Sequence, residues 1–460
     1  MKSKIRIASG QGFWGDLQTA PIDQVRKGPI DYLVMDYLAE VTMSILQKQK
    51  ARNPMLGYAL DCVPLLTELM SDIVEKNIVV ITNAGGVNPI ACREALYVAA
   101  RSKGYPELRI GVVTGDDILP DIDALVCGGA ALSNMDTGKE LSTVRERLMS
   151  ANVYFGAVPI VEALARGAQI VITGRTTDTG LTLAPMMHEF GWNTIELDKL
   201  AAGTVAGHIL ECGAQSTGGN FSADWRSVPD LAHVGFPIAE AMADGNVVIT
   251  KHESLGGLVT EATVKEQLLY EIGNPKNYIT PECTADFTSI RLEQEAMNRV
   301  RVYGVRGTSP TEMYKVSMSY RDGYTAFATL TYAWPEAVEK ARAADGILRE
   351  RLRDAHCEFD EIRTEYLGHD SCFGPNAVSS AELNEVVMRV GVRGRDIASI
   401  ERFSREIAPL ILTGPPSVTG FAGGRPKPSE VIAYWPALIE KTLVHPAVDV
   451  GTPGVYYVTI

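Results

Sequence analysis

The sequence predicts an α/β protein: a doubly wound, mostly parallel sheet domain over residues 1–220, then an α+β domain with an antiparallel sheet over residues 221–460. Three observations carry this. In the first half, short runs that are apolar throughout, such as IVVIT and QIVIT, alternate with segments that are apolar at helical spacing. That is the pattern of a parallel sheet covered by helices on both faces. In the second half, strand-like segments come in pairs separated by helices, as in an antiparallel sheet with helices on one face. Finally, the chain has 460 residues, of which 46% are apolar. A single core stops growing near about 250–300 residues, so two domains are expected.

The elements follow in order. KIRIA (4–8) is a strand that runs into the glycine-rich SGQGFWGD (9–16). IDYLVMD (30–36) is the second strand, and LAEVTMSILQKQKA (38–51) and DCVPLLTELMSDIVEKN (61–77) are helices. IVVIT (78–82) ends in Asn-Ala-Gly-Gly. A helix then opens with Asn88 as N-cap and Pro89 at its first position. RIGVVTGDD (109–117) and QIVITGR (169–175) are strands, and VPIVEALARG (158–167) and TDTGLTLAPMMHEFGW (177–192) are helices. The boundary is placed near residue 220, after QSTGGN. Beyond it, ADFTSIRLEQE, NRVRVYGVRG, YKVSMSY and YTAFATLTYA read as strands, with RDG (321–323) a hairpin turn between the last two. Helices are expected over 335–355 and 396–412, with strands over 358–368 and 384–394 between them.

Composition excludes several classes of function. The formal net charge is −13 and no Lys/Arg cluster is present, which argues against nucleic acid as the main partner. No run approaches the ~20 apolar residues of a membrane span, and MKSKIRIASG has no apolar leader segment. The seven cysteines are scattered and form no C-x-x-C, so neither a zinc site nor a disulfide framework is expected. A reducing cytoplasm is the expected home.

Parallel α/β sheets bind ligands beyond the carboxyl ends of their strands. The polar loops expected there are SGQGFWGD (9–16), DYLAE (36–40), TNAGGVNP (82–89), TGDD (114–117) and TGRTTDTG (173–180). Gly10, Gly12 and Gly15 have the G-x-G-x-x-G spacing of a dinucleotide turn, with Asp36 about twenty residues on. Asp16, however, stands where the pyrophosphate would sit, Phe13 and Trp14 are bulky, and Pro21 lies within the following helix. The loop is therefore read as holding part of a substrate, and no cofactor is expected. Arg175, beside Thr177 and Asp178, suits a carboxylate or phosphate, and the same pair also reads as an ion pair fixing the loop. Asn83 with the Gly85–Gly86 backbone suits an enolate-like oxygen, and Asn88 closes that loop. Asp116 and Asp117 are adjacent and could hold Mg²⁺ with substrate oxygens, though Asp-rich turns are commoner; Asp116 is read as an acid/base group and Asp117 as a substrate contact, and no metal is assigned to them. His208 and Cys212 share a helix face. They suggest either an activated thiol or a general base at His208 or Glu211. KHESLGGLVT (251–260) carries a Gly-Gly pair able to form a binding turn, and LTGPPSVTGFAGGRPKP (412–428), ending near Arg425, is a rigid loop.

SGQGFWGD, IDYLVMDYLAEVTMSIL, VITNAGGVNP, VTGDD, VITGRTTDTGLTLAPMMHEFGW, LAAGTVAGHILECGAQSTGGNF and VKEQLLYEIGNPKNY resemble the acyclic terpene utilisation AtuA family over about residues 5–430. The resemblance implies catabolism of branched acyl chains and supplies no agreed reaction or catalytic set. Longer relatives add a small ferredoxin-like C-terminal domain. The resemblance thus implies a separate small subunit, in a homo- or hetero-oligomer. Three readings follow. The first is a cofactor-independent lyase, a hydratase/dehydratase or C–C lyase, acting on a branched carboxylic acid or its CoA thioester. The others are a thioesterase or acyl transferase using Cys212, and a non-catalytic acyl-CoA-binding subunit.

Overall fold

A computed structural model describes residues 2–39, 42–377, 383–420 and 424–454. The chain forms two units: the first runs up to Ser319 and resumes at Tyr434, and the second is Tyr320–Ala433.

The first unit opens with β1 (Lys4–Gln11), α1 (Thr19–Arg26), β2 (Tyr32–Met35), α2 (Thr42–Arg52), α3 (Cys62–Glu75), β3 (Val79–Thr82), α4 (Pro89–Ser102) and β4 (Ile110–Thr114). It continues through α5 (Ile122–Cys127), β5 (Leu148–Val153), α6 (Val158–Ala165), β6 (Ile170–Thr173), α7 (Asp178–Phe190) and α8 (Leu197–Glu211). β1, β2, β3, β6 and β4 lie side by side in that order, all parallel. Their side chains are buried on both faces. Ile5, Ile81 and Val171 pack with Ile160, Leu183 and Val205 from α6, α7 and α8. Leu33, Val80 and Ile172 pack with Leu66, Leu69 and Leu96 from α3 and α4. Each such Leu, Ile or Val stabilises the fold by about 1.5–3 kcal/mol relative to exposure.

The chain then returns to this sheet. β7 (Ile238–Met242) and β8 (Val247–Thr250) precede α9 (Glu261–Leu269), β9 (Tyr278–Ile279) and β10 (Thr284–Asp286). β11 (Arg291–Ala296), β12 (Arg299–Tyr303) and β13 (Arg306–Thr308) follow. β7, β8, β12 and β11 extend the sheet antiparallel beyond β1. Residue 220 thus lies inside the first unit, because the alternating strands after it join the sheet already begun.

β14 (Met313–Ala333) leads into the second unit, which continues through α10 (Ala337–Asp354), β15 (Glu361–Leu367), β16 (Glu385–Gly394), α11 (Ile397–Glu406), α12 (Leu410–Thr413) and β17 (Val418–Thr419). Its sheet order is β15-β16-β14-β17, antiparallel throughout. This is the ferredoxin-like β-α-β-β-α-β arrangement. α10 and α11 bury Leu348, Leu352, Ile400 and Phe403 with Leu330 and Val390 of the strands. The hairpin expected at RDG does not form: residues 313–333 are one strand, and Gly323 takes φ +87° within it. From Tyr324 onward the strand pairs with β16, ten residues long, in a register that starts at Tyr324↔Gly394. Part of the 412–428 loop, residues 421–423, lies outside the described residues, as does Glu40. β18 (Ser429–Glu440) leads back to the first unit, where β19 (Ala447–Gly451) pairs antiparallel with β4.

α8 is buried from Leu200 to Leu210 on all sides, so its packing is unusually demanding. A Cβ on Gly207 would lie 2.6 Å from the Thr179 Cα and carbonyl oxygen, and one on Gly203 would lie 2.4 Å from Leu183 Cδ1. Glycine one turn apart therefore lets α8 lie directly on α7. Gly346 in α10 meets nothing within 4 Å. The same substitution should act with opposite sign at the two helices. Gly207→Ala lowers stability by about 1–3 kcal/mol through overpacking, whereas Gly346→Ala raises it by about 0.5–1 kcal/mol through helix propensity. Urea unfolding of each variant measures both.

Candidate functional site

A cleft of about 420 Å³ opens beyond the carboxyl ends of β1, β2 and β6. Five segments line it: Gly12 and Phe13 after β1; Asp36, Leu38 and Ala39 after β2; Arg175 and Asp178 between β6 and α7; Glu211, Cys212 and Gln215 at the end of α8; and Tyr270 and Glu271 after α9. The close packing of α7 on α8 puts the first residue of one, Asp178, near the last of the other, Glu211.

The opening glycine loop closes on itself. Asp16 accepts from the Gly12 N–H at 2.9 Å and the Leu17 N–H at 2.7 Å. Gly12 is needed because a Cβ there would lie 2.9 Å from the Glu211 carbonyl oxygen. Gly10 instead packs beneath the sheet, where a Cβ would meet Leu33 Cδ1 at 2.9 Å.

Asp36 is buried. Its Oδ1 accepts from Asn83 Nδ2 at 2.6 Å and from the Leu38 N–H at 3.0 Å. Burial raises its pKa, against the opposing pull of Arg175 and of the hydrogen bonds from Asn83 and Leu38. Arg175 is also buried. It donates to the Leu38 carbonyl, lies 3.3 Å from Asp178 Oδ1 and covers the Tyr154 ring at 4.2 Å. Its cation therefore serves the protein's own carboxylate first.

The second pair is His208 and Glu211. His208 is enclosed by Tyr278 and Phe287, with ring centroids 5.6 and 5.3 Å away. Its Nε2–H donates to the Gln267 carbonyl at 3.0 Å, which leaves Nδ1 facing Glu211 Oε1 at 2.7 Å. A ring lone pair against a carboxylate is repulsive, so this contact is favourable only when one of the two groups carries a proton. Glu211 raises the His208 pKa against desolvation, and burial raises that of Glu211. His208 does not face Cys212. Burial first, and then Glu211, push the Cys212 thiol up to about 12, opposite to the shift that makes a thiolate nucleophile.

Of the residues singled out from sequence, Gly12, Asp36, Arg175, Asp178 and Cys212 line the cleft, and Asn83, Asp116 and His208 lie directly behind it. Asn83 is fully buried, donating from Nδ2 to Asp36 and accepting the Tyr37 N–H (2.7 Å) on Oδ1, so it supports Asp36 and does not line the cleft. Asp116 accepts from the Arg175 N–H at 2.8 Å and from Asn152 Nδ2 at 2.9 Å, and so ties down the loop that carries Arg175. The remainder serve turns. A Cβ on Gly85 would meet the Thr173 carbonyl oxygen at 2.5 Å, and Gly86 (φ +53°) donates to the Asn83 carbonyl. Asn88 caps α4 through the Ala91 N–H and donates to the Pro54 and Leu56 carbonyls. Asp117 accepts from Leu119 N–H at 3.2 Å and lies 3.8 Å from Lys50 Nζ. It therefore does not share a site with Asp116. The Thr177 N–H donates to the Phe155 carbonyl at 2.7 Å.

Sequence reasoning missed Gln215, Tyr270 and Glu271. Glu271 sits at φ +51°, a conformation sparsely populated by non-glycine residues and concentrated at functional sites. Among the described residues, four carboxyl groups, Asp36, Asp178, Glu211 and Glu271, thus line the cleft with one cationic side chain, Arg175. Among the described residues, no group of three or more His, Cys, Asp or Glu is placed to hold a metal ion, and no helix is long and apolar enough to cross a membrane.

Residues 5–450 match the family described as acyclic terpene utilisation family protein AtuA. No curated protein and no solved structure matches the chain.

Asp116 carries a pH signature. Burial pushes it from the ordinary 3.8 up to about 7. Between these values the folded chain keeps a proton that the unfolded chain has released, so stability falls as pH rises through that window. Asp116→Asn keeps both accepted hydrogen bonds on its amide oxygen and has no carboxyl to titrate. Melting temperatures measured from pH 5 to pH 8 should fall less steeply for this variant than for the parent protein.

Proposed function

The chain belongs to the acyclic terpene utilisation family AtuA, and on that premise we propose that it is a cofactor-independent lyase of branched-chain acyl catabolism. The reaction is the addition or removal of water, or the cleavage of a C–C bond, next to the carbonyl of an acyl thioester. The observation that carries this reading is the convergence of Asp36, Asp178 and Glu211 on one cleft, with the buried His208 ring 2.7 Å from Glu211 behind it. A dehydratase needs a base to take the proton α to the carbonyl and an acid to protonate the departing β-hydroxyl, which leaves as water. Groups with raised pKa values suit both tasks near neutral pH.

The charge of the cleft narrows the substrate. Asp36, Asp178, Glu211 and Glu271 repel a free carboxylate, while Arg175 is held by Asp178 and the Leu38 carbonyl. An uncharged thioester carbonyl enters at lower cost than the free acid. The raised Cys212 thiol weakens the acyl-transfer alternative. A separate small ferredoxin-like subunit, in a homo- or hetero-oligomer, remains part of the proposal. Pull-down with the neighbouring small gene product tests it, and full activity of the lone chain overturns it.

Deuterium wash-in tests the chemistry whatever the final product is. The protein is incubated in D₂O with a panel of branched acyl-CoA and hydroxyacyl-CoA thioesters, and label at the α-carbon is read by mass spectrometry. The parent should label at least one member. Asp178→Asn and Glu211→Gln should slow labelling by about 10²-fold or more, and Cys212→Ser should stay within about threefold. Equal rates in both carboxyl variants would remove the assignment, and binding of a thioester with no label from any member would leave the non-catalytic reading.

A further inference from the structure

A second cleft, of about 680 Å³, lies in the same unit at the opposite end of β1 from Gly12. Arg6 sits near the start of that strand, six residues before Gly12, or roughly 20 Å at about 3.3 Å per residue. Four of the side chains lining this cleft are cationic, Arg6, Lys27, Lys251 and Arg299, and one, Glu253, is acidic. This is a concentration of cationic side chains on a chain whose formal net charge is −13, although Lys27 lies 3.2 Å from Asp23 in its own helix turn. Lys251 opens the KHESLGG turn. Although buried, it has only carbonyls as hydrogen-bond partners among the described residues: those of Leu255 at 2.6 Å and His252 at 3.4 Å. The guanidiniums of Arg6 and Arg299 share a single carboxylate, Glu240, from its two oxygens, and Lys4 also lies 3.4 Å from it. Beyond its Glu240 contact, Arg299 has N–H groups with no protein acceptor among the described residues. A cleft this size walled by guanidinium and ammonium donors is complementary to clustered anionic oxygens.

We propose that this cleft binds a phosphate-bearing small molecule, with Arg299, Arg6, Lys27 and Lys251 as its phosphate ligands, at a site separate from the acidic cleft. Lys251 is a buried lining residue of this cleft, and the two arginines sit on strands of the same sheet, β1 and β12. Binding adds anionic acceptors where three cations now share one carboxylate.

Isothermal titration of the full chain with inorganic phosphate, pyrophosphate and ATP distinguishes the sources of phosphate. Saturable binding of pyrophosphate or ATP that weakens with added salt is expected. Arg299→Gln, a half-exposed position, should weaken it about tenfold, and Lys27→Gln/Arg299→Gln further. Glu271→Gln, at the mouth of the acidic cleft, should leave the affinity unchanged. Binding of inorganic phosphate alone keeps the site and narrows its ligand to a single phosphate group. No saturable binding of any of the three, equal affinity in the double variant, or a change in Glu271→Gln with none in Arg299→Gln overturns the proposal.

Discussion

The acidic cleft depends on one contact: the surface of α8 at Gly207 resting on the backbone of α7 at Thr179. Removing the side chain at that point lets two helices approach closer than van der Waals packing of any larger residue permits. Because the helices run in opposite directions there, the approach joins an N-terminus to a C-terminus. Asp178 sits in the first turn of α7, where the helix dipole favours negative charge, and Glu211 closes α8, where it does not. The opposed ends give two carboxyl groups unlike environments at close range. Burial raises the pKa of Glu211 there, the direction a general acid or base near neutral pH requires.

Around that contact the site is layered. Residues reaching the cleft are held by residues that do not: Asn83 holds Asp36, Asp116 holds the Arg175 backbone, and Gln267 fixes the tautomer of His208. Holding groups of this kind keep reactive side chains in one geometry before a substrate arrives. Their own polar atoms are largely satisfied by the protein, which is why they are poor candidates for direct contact.

Much of this was legible in the sequence. IVVIT and QIVIT had to be central strands, because nothing on either face suits water; the loop after QIVIT lines the cleft, whereas the loop after IVVIT reaches it only through Asn83 behind Asp36. Depth was not legible. An Asp or Asn that follows a strand looks the same whether it faces the cleft, as Asp36 does, or ties down the next loop, as Asp116 does. Nor does alternation in β7, β8 and β12 say which sheet they join; it reports only antiparallel pairing and one-sided burial. RDG has turn chemistry, yet residues on both sides of it belong to one long strand, and a tertiary partner outweighs a local preference. Glu271 reaches the cleft after α9, some sixty residues beyond Glu211, and neither its spacing nor its composition announces that return.

The pairing of β19 with β4 has a consequence for how the chain is made. β4 ends at Thr114 and its partner begins at Ala447, so more than three hundred residues are synthesised between them. Throughout that interval the β4 flank of the growing sheet carries unsatisfied amides and carbonyls. A ribosome adding about 5–20 residues per second leaves this edge open for tens of seconds. The nascent protein is thus most exposed to adhesion with its neighbours at a border that the finished molecule seals, with the Arg93–Asp449 ion pair among the last contacts to close.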